Sequence, residues 1–264
     1  MINTVNIKEQ QLRKGYFKTG TGPETVFIMG SCRVVNYVNY FATMPQFTVY
    51  SIDPFNWNWD INDDRVDYIG ALKEQENNKE LLTMLTGCKI FIHEWYENAG
   101  MFNISRIYDF GLNPEIDICI PNFNDLFILF KDIITFDSDM RKLAAQDFNV
   151  LGKLSEQTEK DIVEVGRINL AKFYNVCNLS DIPEMEYYFN ENWKKTRMFW
   201  SYNHVTKAFT LAVFSYINSR WFNNSLGIDS THTDMFANNF THPTEYDVKN
   251  YGIQWDEPFK KLDL

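Results

Sequence analysis

The chain has 264 residues, 45% of them apolar and 23% charged, which is the balance of a folded protein with enough length for one large core or two small ones, and it excludes disorder as the main state. Its 35 Asp+Glu against 25 Lys+Arg give a formal charge of −10 and a pI near 4.9. That field repels phosphate backbones and anionic lipid and argues against a nucleic-acid partner.

The N-terminal MINTVNIKEQQLRKGYF is polar and lacks the apolar core of a secretory signal. No run approaches the roughly 18 uninterrupted apolar residues of a membrane span. The expectation is a cytoplasmic protein with no membrane span.

In chain order, TVFIMG (25 to 30), FTVYSID (47 to 53), KIFIHEW (89 to 95) and IDICIPN (116 to 122) are continuous apolar runs bounded by turn signals, as expected for strands covered on both faces. Helical patterns separate them. Val34, Val38 and Phe41 recur at i, i+4, i+7, and a polar helix is predicted around Lys73 to Leu85. Such alternation points to right-handed crossovers and a mostly parallel sheet.

The second half, from about 137, reads as helix-rich: Met140 to Leu154, Ile162 to Phe173, and His204 to Trp221. No Pro or Gly cluster marks a linker, so the expectation is one α/β domain over residues 1–264. A helical subdomain is the variant.

Several chemistries drop out. There is no P-loop lysine motif and no GxGxxG. His93-Glu94-Trp95-Tyr96-Glu97 begins like HExxH but ends in Glu on a strand, and the acidic stretch Asp60 to Asp67 lacks the glycine and final glutamate of a calcium loop. No metal site is read. The cysteines Cys32, Cys88, Cys119 and Cys177 form no CxxC, which argues against a zinc ribbon or a disulfide framework. Three of them sit in apolar surroundings and read as core residues. The rings and amides of an aromatic- and Asn-rich chain would suit sugars, but core filling is the first use of rings.

Cys32 stands apart. The run VFIMGSCRVVNYVNYF takes a buried strand into Gly30-Ser31-Cys32-Arg33 and then a helix. In open α/β sheets ligands bind at the carboxyl ends of strands, where the turn presents its N–H groups. A cysteine at a helix N-terminus is biased toward thiolate, Gly30 permits a tight turn, and Arg33 adds positive potential. The pattern describes an activated nucleophile with Gly30, Ser31 and Arg33 around an oxyanion.

The GSCR turn resembles the GNCQ turn of the WcbI-type family, acetyltransferases of capsular polysaccharide biosynthesis on an SGNH-hydrolase-like fold in which cysteine replaces the GDS serine. KIFIHEW occupies the place of that family's strand leading into the pocket, and IDICIPN resembles its later strand with a proline. MFWSYNHVTKAFTLAVFSYI resembles its aromatic run ending in Asn-His-Pro and a helix, which assigns Asn203 and His204 to that motif. Ser31, Arg33 and Val205 replace the family's Asn, Gln and Pro.

The resemblance implies a three-layer, SGNH- or flavodoxin-like α/β fold. It also implies a Cys32 nucleophile, a small-molecule acyl donor with acyl-CoA as co-substrate and no bound cofactor, and a saccharide acceptor. Arg33, Lys89 and Arg106 are candidates for the donor's phosphates. The base is left open between His204, His242 in NNFTHPTEYD, His232 in DSTH with Asp229 as orienter, and no histidine at all. His93, ending a strand, is a candidate to line the pocket. Two other readings stay open: an SGNH-like esterase or deacetylase, and a non-catalytic glycan-binding or assembly protein. Oligomeric state is not read.

Overall fold

The computed structural model describes residues 16–52, 78–95, 104–109, 111–121, 170–201, 204–228, 234 and 252–255. The chain divides into two compact units, Met1–Asn122 with Val213–Met235, and Phe123–Ala212 with Phe236–Leu264. The helical patterns at Met140 to Leu154 and around Ile162, the acidic stretch at Asp60 to Asp67, and residues 73–77 lie outside the described residues.

The first unit is built on strands β1 (Phe17–Gly20), β2 (Glu24–Met29), β3 (Phe47–Ile52), β4 (Ile90–Glu94) and β5 (Ile116–Ile120), in the sheet order β1-β3-β2-β4-β5. All four strands expected from the apolar runs form, and they are mutually parallel. The fifth, β1, was not anticipated. It is a short FKTG segment that lies antiparallel on β3, and its alternation with polar residues suits a sheet edge.

Strand parity sorts the apolar residues onto two faces. Phe27, Met29, Tyr50, Ile52 and Phe91 form one core with Met84 and Leu85 of α2 (Asn78–Thr86) and Ile107 of α3 (Ile104–Asp109). On the other face lies α1 (Val35–Ala42). Its Phe41 meets Phe47 of β3 and Phe214 edge-on, each at 5.3 Å between ring centroids. Helices thus cover both faces, a mixed α/β arrangement with a mostly parallel sheet.

β2 is the first parallel strand of the chain, and it has β3 on one side and β4 on the other. The chain therefore leaves the carboxyl end of β2 at the point where its neighbours diverge. In open sheets that is where a ligand crevice forms.

The second unit contains a helix over 170–179, here α4, then α5 (Glu184–Asn192), the strands β6 (Phe199–Ser201) and β7 (His204–Val205), and the start of α6 (Lys207–Phe222). In the polar α5 only Met185 and Phe189, an i, i+4 pair, are buried. Phe189 packs edge-on against Phe173 at 4.9 Å.

The helix expected from His204 to Trp221 is corrected. His204–Val205 pairs antiparallel with β6, and the helix begins only at Lys207. Thr206 sets that start: its hydroxyl accepts the Phe209 N–H at 3.3 Å and donates to the Arg197 carbonyl at 2.8 Å, an N-cap arrangement. Among the described residues no helix is long and apolar enough to cross a membrane.

Candidate functional site

The site grows from the end of β2. Gly30 donates its N–H to the Ile52 carbonyl at 3.2 Å, and the Ser31 carbonyl accepts the Val34 N–H at 3.0 Å. That bond closes a 3₁₀ turn, Cys32–Val34, which runs into α1. Cys32 thus begins the helical run. Space explains the glycine before it: a Cβ at Gly30 would stand 2.4 Å from Val34 Cγ1 and 2.9 Å from Glu94 Cδ.

Glu94, the last residue of β4, is 2% exposed. Its Oε2 accepts the Ser31 N–H at 3.0 Å and Arg33 Nη2 at 3.3 Å. Its Oε1 accepts the Ser31 hydroxyl at 3.3 Å and Arg33 Nε at 3.1 Å. Both oxygens are thus shared between the two residues that flank Cys32. A buried carboxylate requires such partners, because its desolvation is otherwise too costly.

The Arg33 charge, expected to add positive potential to the turn, is met by Glu94. The peptide dipoles at the start of the helical run also favour negative charge at the turn. Tyr37 of α1 faces the same pair. Burial pushes its hydroxyl well above the ordinary phenol range, and Tyr40 and Glu94 add to the effect.

His93 lies on the opposite face of the sheet, because alternation along β4 sends it away from Glu94. Its Nδ1 lies 3.3 Å from the Glu94 carbonyl and its Nε2 3.5 Å from Asp117 Oδ1 on β5. Asp117 also accepts the Tyr108 hydroxyl. Burial raises the Asp117 carboxyl, but the hydrogen bonds from His93 and Tyr108 outweigh it and hold the group below the ordinary carboxylate range. With both ring nitrogens engaged, His93 acts as a pin between β4 and β5.

His204 is the first residue of β7, in register with Ser201. Asn203, Asp229, His232 and His242 lie outside the described residues. Lys89 is exposed at the start of β4, at the other end of the strand from Glu94, and Arg106 lies on α3. Cys88 and Cys177 are buried and Cys119 partly so. Burial pushes the Cys88 thiol up to about 12. Among the described residues no group of three or more His, Cys, Asp or Glu is arranged to hold a metal ion.

Two residues escaped the sequence reading. Glu94 carries a usable signal: a charged side chain closing the apolar run KIFIH requires a buried partner. Asn36, one helical turn beyond Cys32, is fully buried, and neither its Nδ2 nor its Oδ1 has a hydrogen-bond partner among the described residues.

No protein-family model and no curated protein matches the sequence. In three dimensions the chain is similar to WcbI, a polysaccharide biosynthesis enzyme solved in its native form without a disulfide bond between coenzyme A and one of its cysteines. The TM-score is 0.54 at 9% identity, over 90% of this chain and 81% of that one. The likeness is one of fold: this chain shares with WcbI an α/β architecture.

Proposed function

We propose that the protein transfers an acyl group, an acetyl or a close relative, to a saccharide, with Cys32 as the nucleophile. The carrying observation is the place of the Gly30–Arg33 turn, at the carboxyl end of β2 where its neighbours diverge and a helical run begins. Peptide dipoles at such a position favour a thiolate and a developing oxyanion. The fold likeness to a polysaccharide biosynthesis enzyme, described with reference to coenzyme A and a cysteine, supports a saccharide acceptor and a CoA thioester donor.

In the first half-reaction the Cys32 thiolate attacks the thioester carbonyl. The tetrahedral intermediate collapses, the bond to the CoA sulfur breaks, and CoA leaves with a proton from the general acid. A sugar hydroxyl then attacks the acyl-cysteine and gives its proton to the same group, now acting as base. The ester is released and the thiolate restored. His204 is the first choice for that group, followed by His242 and His232.

The test is to follow acetyl-CoA with and without saccharide acceptors. The reading predicts consumption that requires an acceptor and is lost in Cys32→Ala. Equal consumption without acceptor identifies a hydrolase, and consumption unaffected by Cys32→Ala overturns the nucleophile.

A further inference from the structure

In a chain with 35 acids among 264 residues, the stretch 192–228 contains no Asp or Glu, and it carries Lys194, Lys195, Arg197, Lys207 and Arg220. It opens in NWKKTR, which joins α5 to β6. Trp193 is the C-cap of α5. Its ring stacks on Phe189 at 6.2 Å between centroids and lies beneath the Lys194 ammonium at 5.3 Å. A second indole anchors the segment: Trp255 Nε1 donates to the Trp193 carbonyl at 2.8 Å, and the Gln254 N–H donates to the Lys194 carbonyl at 2.7 Å. The Arg197 guanidinium stands 5.3 Å over the Trp255 ring.

These bonds change the electrostatics of the helix end. A helix C-terminus presents carbonyls that repel anions, yet here the carbonyls of Asn192, Trp193 and Lys194 all accept N–H donors. Lys194 and Lys195 are exposed. Among the described residues neither ammonium pairs with a carboxylate, that of Glu191 included. The Thr206 hydroxyl donates to the Arg197 carbonyl at 2.8 Å, which brings the start of α6, with Lys207, beside the same segment.

We propose that the Trp193–Lys195 segment binds the phosphate groups of a nucleotide-type small molecule, which, on the acyl-transfer reading that this inference rests on, is the CoA donor. CoA carries a diphosphate and a 3′-phosphate, so adjacent cations on one anchored segment match its charge. The Lys194 stem is already held against an indole, and less freedom is lost when its ammonium meets an anion. The net charge of −10 disfavours a long polyanion at the same place.

The test is calorimetric binding of CoA to the full chain at low salt, with folding checked by circular dichroism. The wild type binds, and its affinity falls as salt rises. Lys194→Gln with Lys195→Gln weakens binding about tenfold, while Lys172→Gln, at an exposed lysine of α4, changes it by less than about twofold. Equal affinity in the double variant and the wild type, an equal loss in Lys172→Gln, or no binding by the wild type overturns the proposal. So does a single-stranded oligonucleotide that displaces CoA at a lower phosphate concentration, since it assigns the segment to nucleic acid. Where the double variant does not fold, the exposed substitution Lys195→Glu decides, and it must weaken CoA binding. Acetyl-CoA turnover with unchanged KM in the double variant removes this inference and leaves the transferase reading; CoA bound through Lys194 and Lys195 with no acyl transfer does the reverse.

Discussion

Arg33 and Glu94 meet through two parallel hydrogen bonds, Nε to Oε1 at 3.1 Å and Nη2 to Oε2 at 3.3 Å, with side chains only 4% and 3% exposed. Fork-to-fork geometry of this kind is the strong form of an ion pair. Because it is buried, removing either partner takes a charge-assisted contact out of a site that water does not refill. Glu94→Ala and Arg33→Ala are each expected to lose about 3–5 kcal/mol in urea denaturation. A loss below about 1 kcal/mol, the range of surface pairs, would show that the contact does not hold the turn.

Gly30→Ala is expected to destabilise the protein and to disturb the turn together. The added methyl meets the Val34 side chain and Glu94, and overpacking of this kind costs about 1–3 kcal/mol. Thermal denaturation and the Cys32 alkylation rate are the readouts. A variant with wild-type values of both would mean that the turn has room to spare.

Asn36→Leu is expected to raise stability. The substitution replaces a buried amide with no partner among the described residues by an apolar group of similar size, relieving a penalty of about 1–3 kcal/mol. A lowered melting temperature would show that the amide is satisfied by groups outside the described residues.

Acid should weaken the edge of the sheet through Glu80. Hydrogen bonds from Lys18 and Tyr16, each 2.5 Å long, lower its carboxyl from 4.5 to about 2. A depressed carboxyl contributes stability that is present above its ordinary value and lost as pH falls through its folded value. The stability difference between wild type and Glu80→Gln is therefore expected to be full at neutral pH and to shrink between about pH 4.5 and pH 2. A difference independent of pH would remove Glu80 from the acid response.

The parts of the fold that the sequence discloses are those with one-dimensional signatures. TVFIMG, FTVYSI, KIFIHE and IDICI are predominantly apolar, as suits a parallel sheet with helices on both faces, and each contains a strand. FKTG carries no such signature, being a four-residue edge strand with Lys18 exposed. The start of α6 is read too early because the apolar pattern runs through His204 and Val205, while the Thr206 cap ends the strand.

At the site, GSCR is visible from its position after β2. The Arg33–Glu94 pair is not, since its partners are 61 residues apart and only the sheet order brings β2 beside β4. His93 drew attention by residue type, yet alternation by one residue puts it on the other face from the turn.

The central claim is a covalent acyl-cysteine at position 32. Intact-mass analysis of the protein after incubation with acetyl-CoA, without acceptor, tests it most directly. The account predicts one acetyl group per chain, mapped to the peptide that contains Cys32, absent from Cys32→Ala and discharged when the saccharide acceptor is added. An adduct that persists in Cys32→Ala, or the failure of any adduct to form with every acyl donor offered, would contradict it.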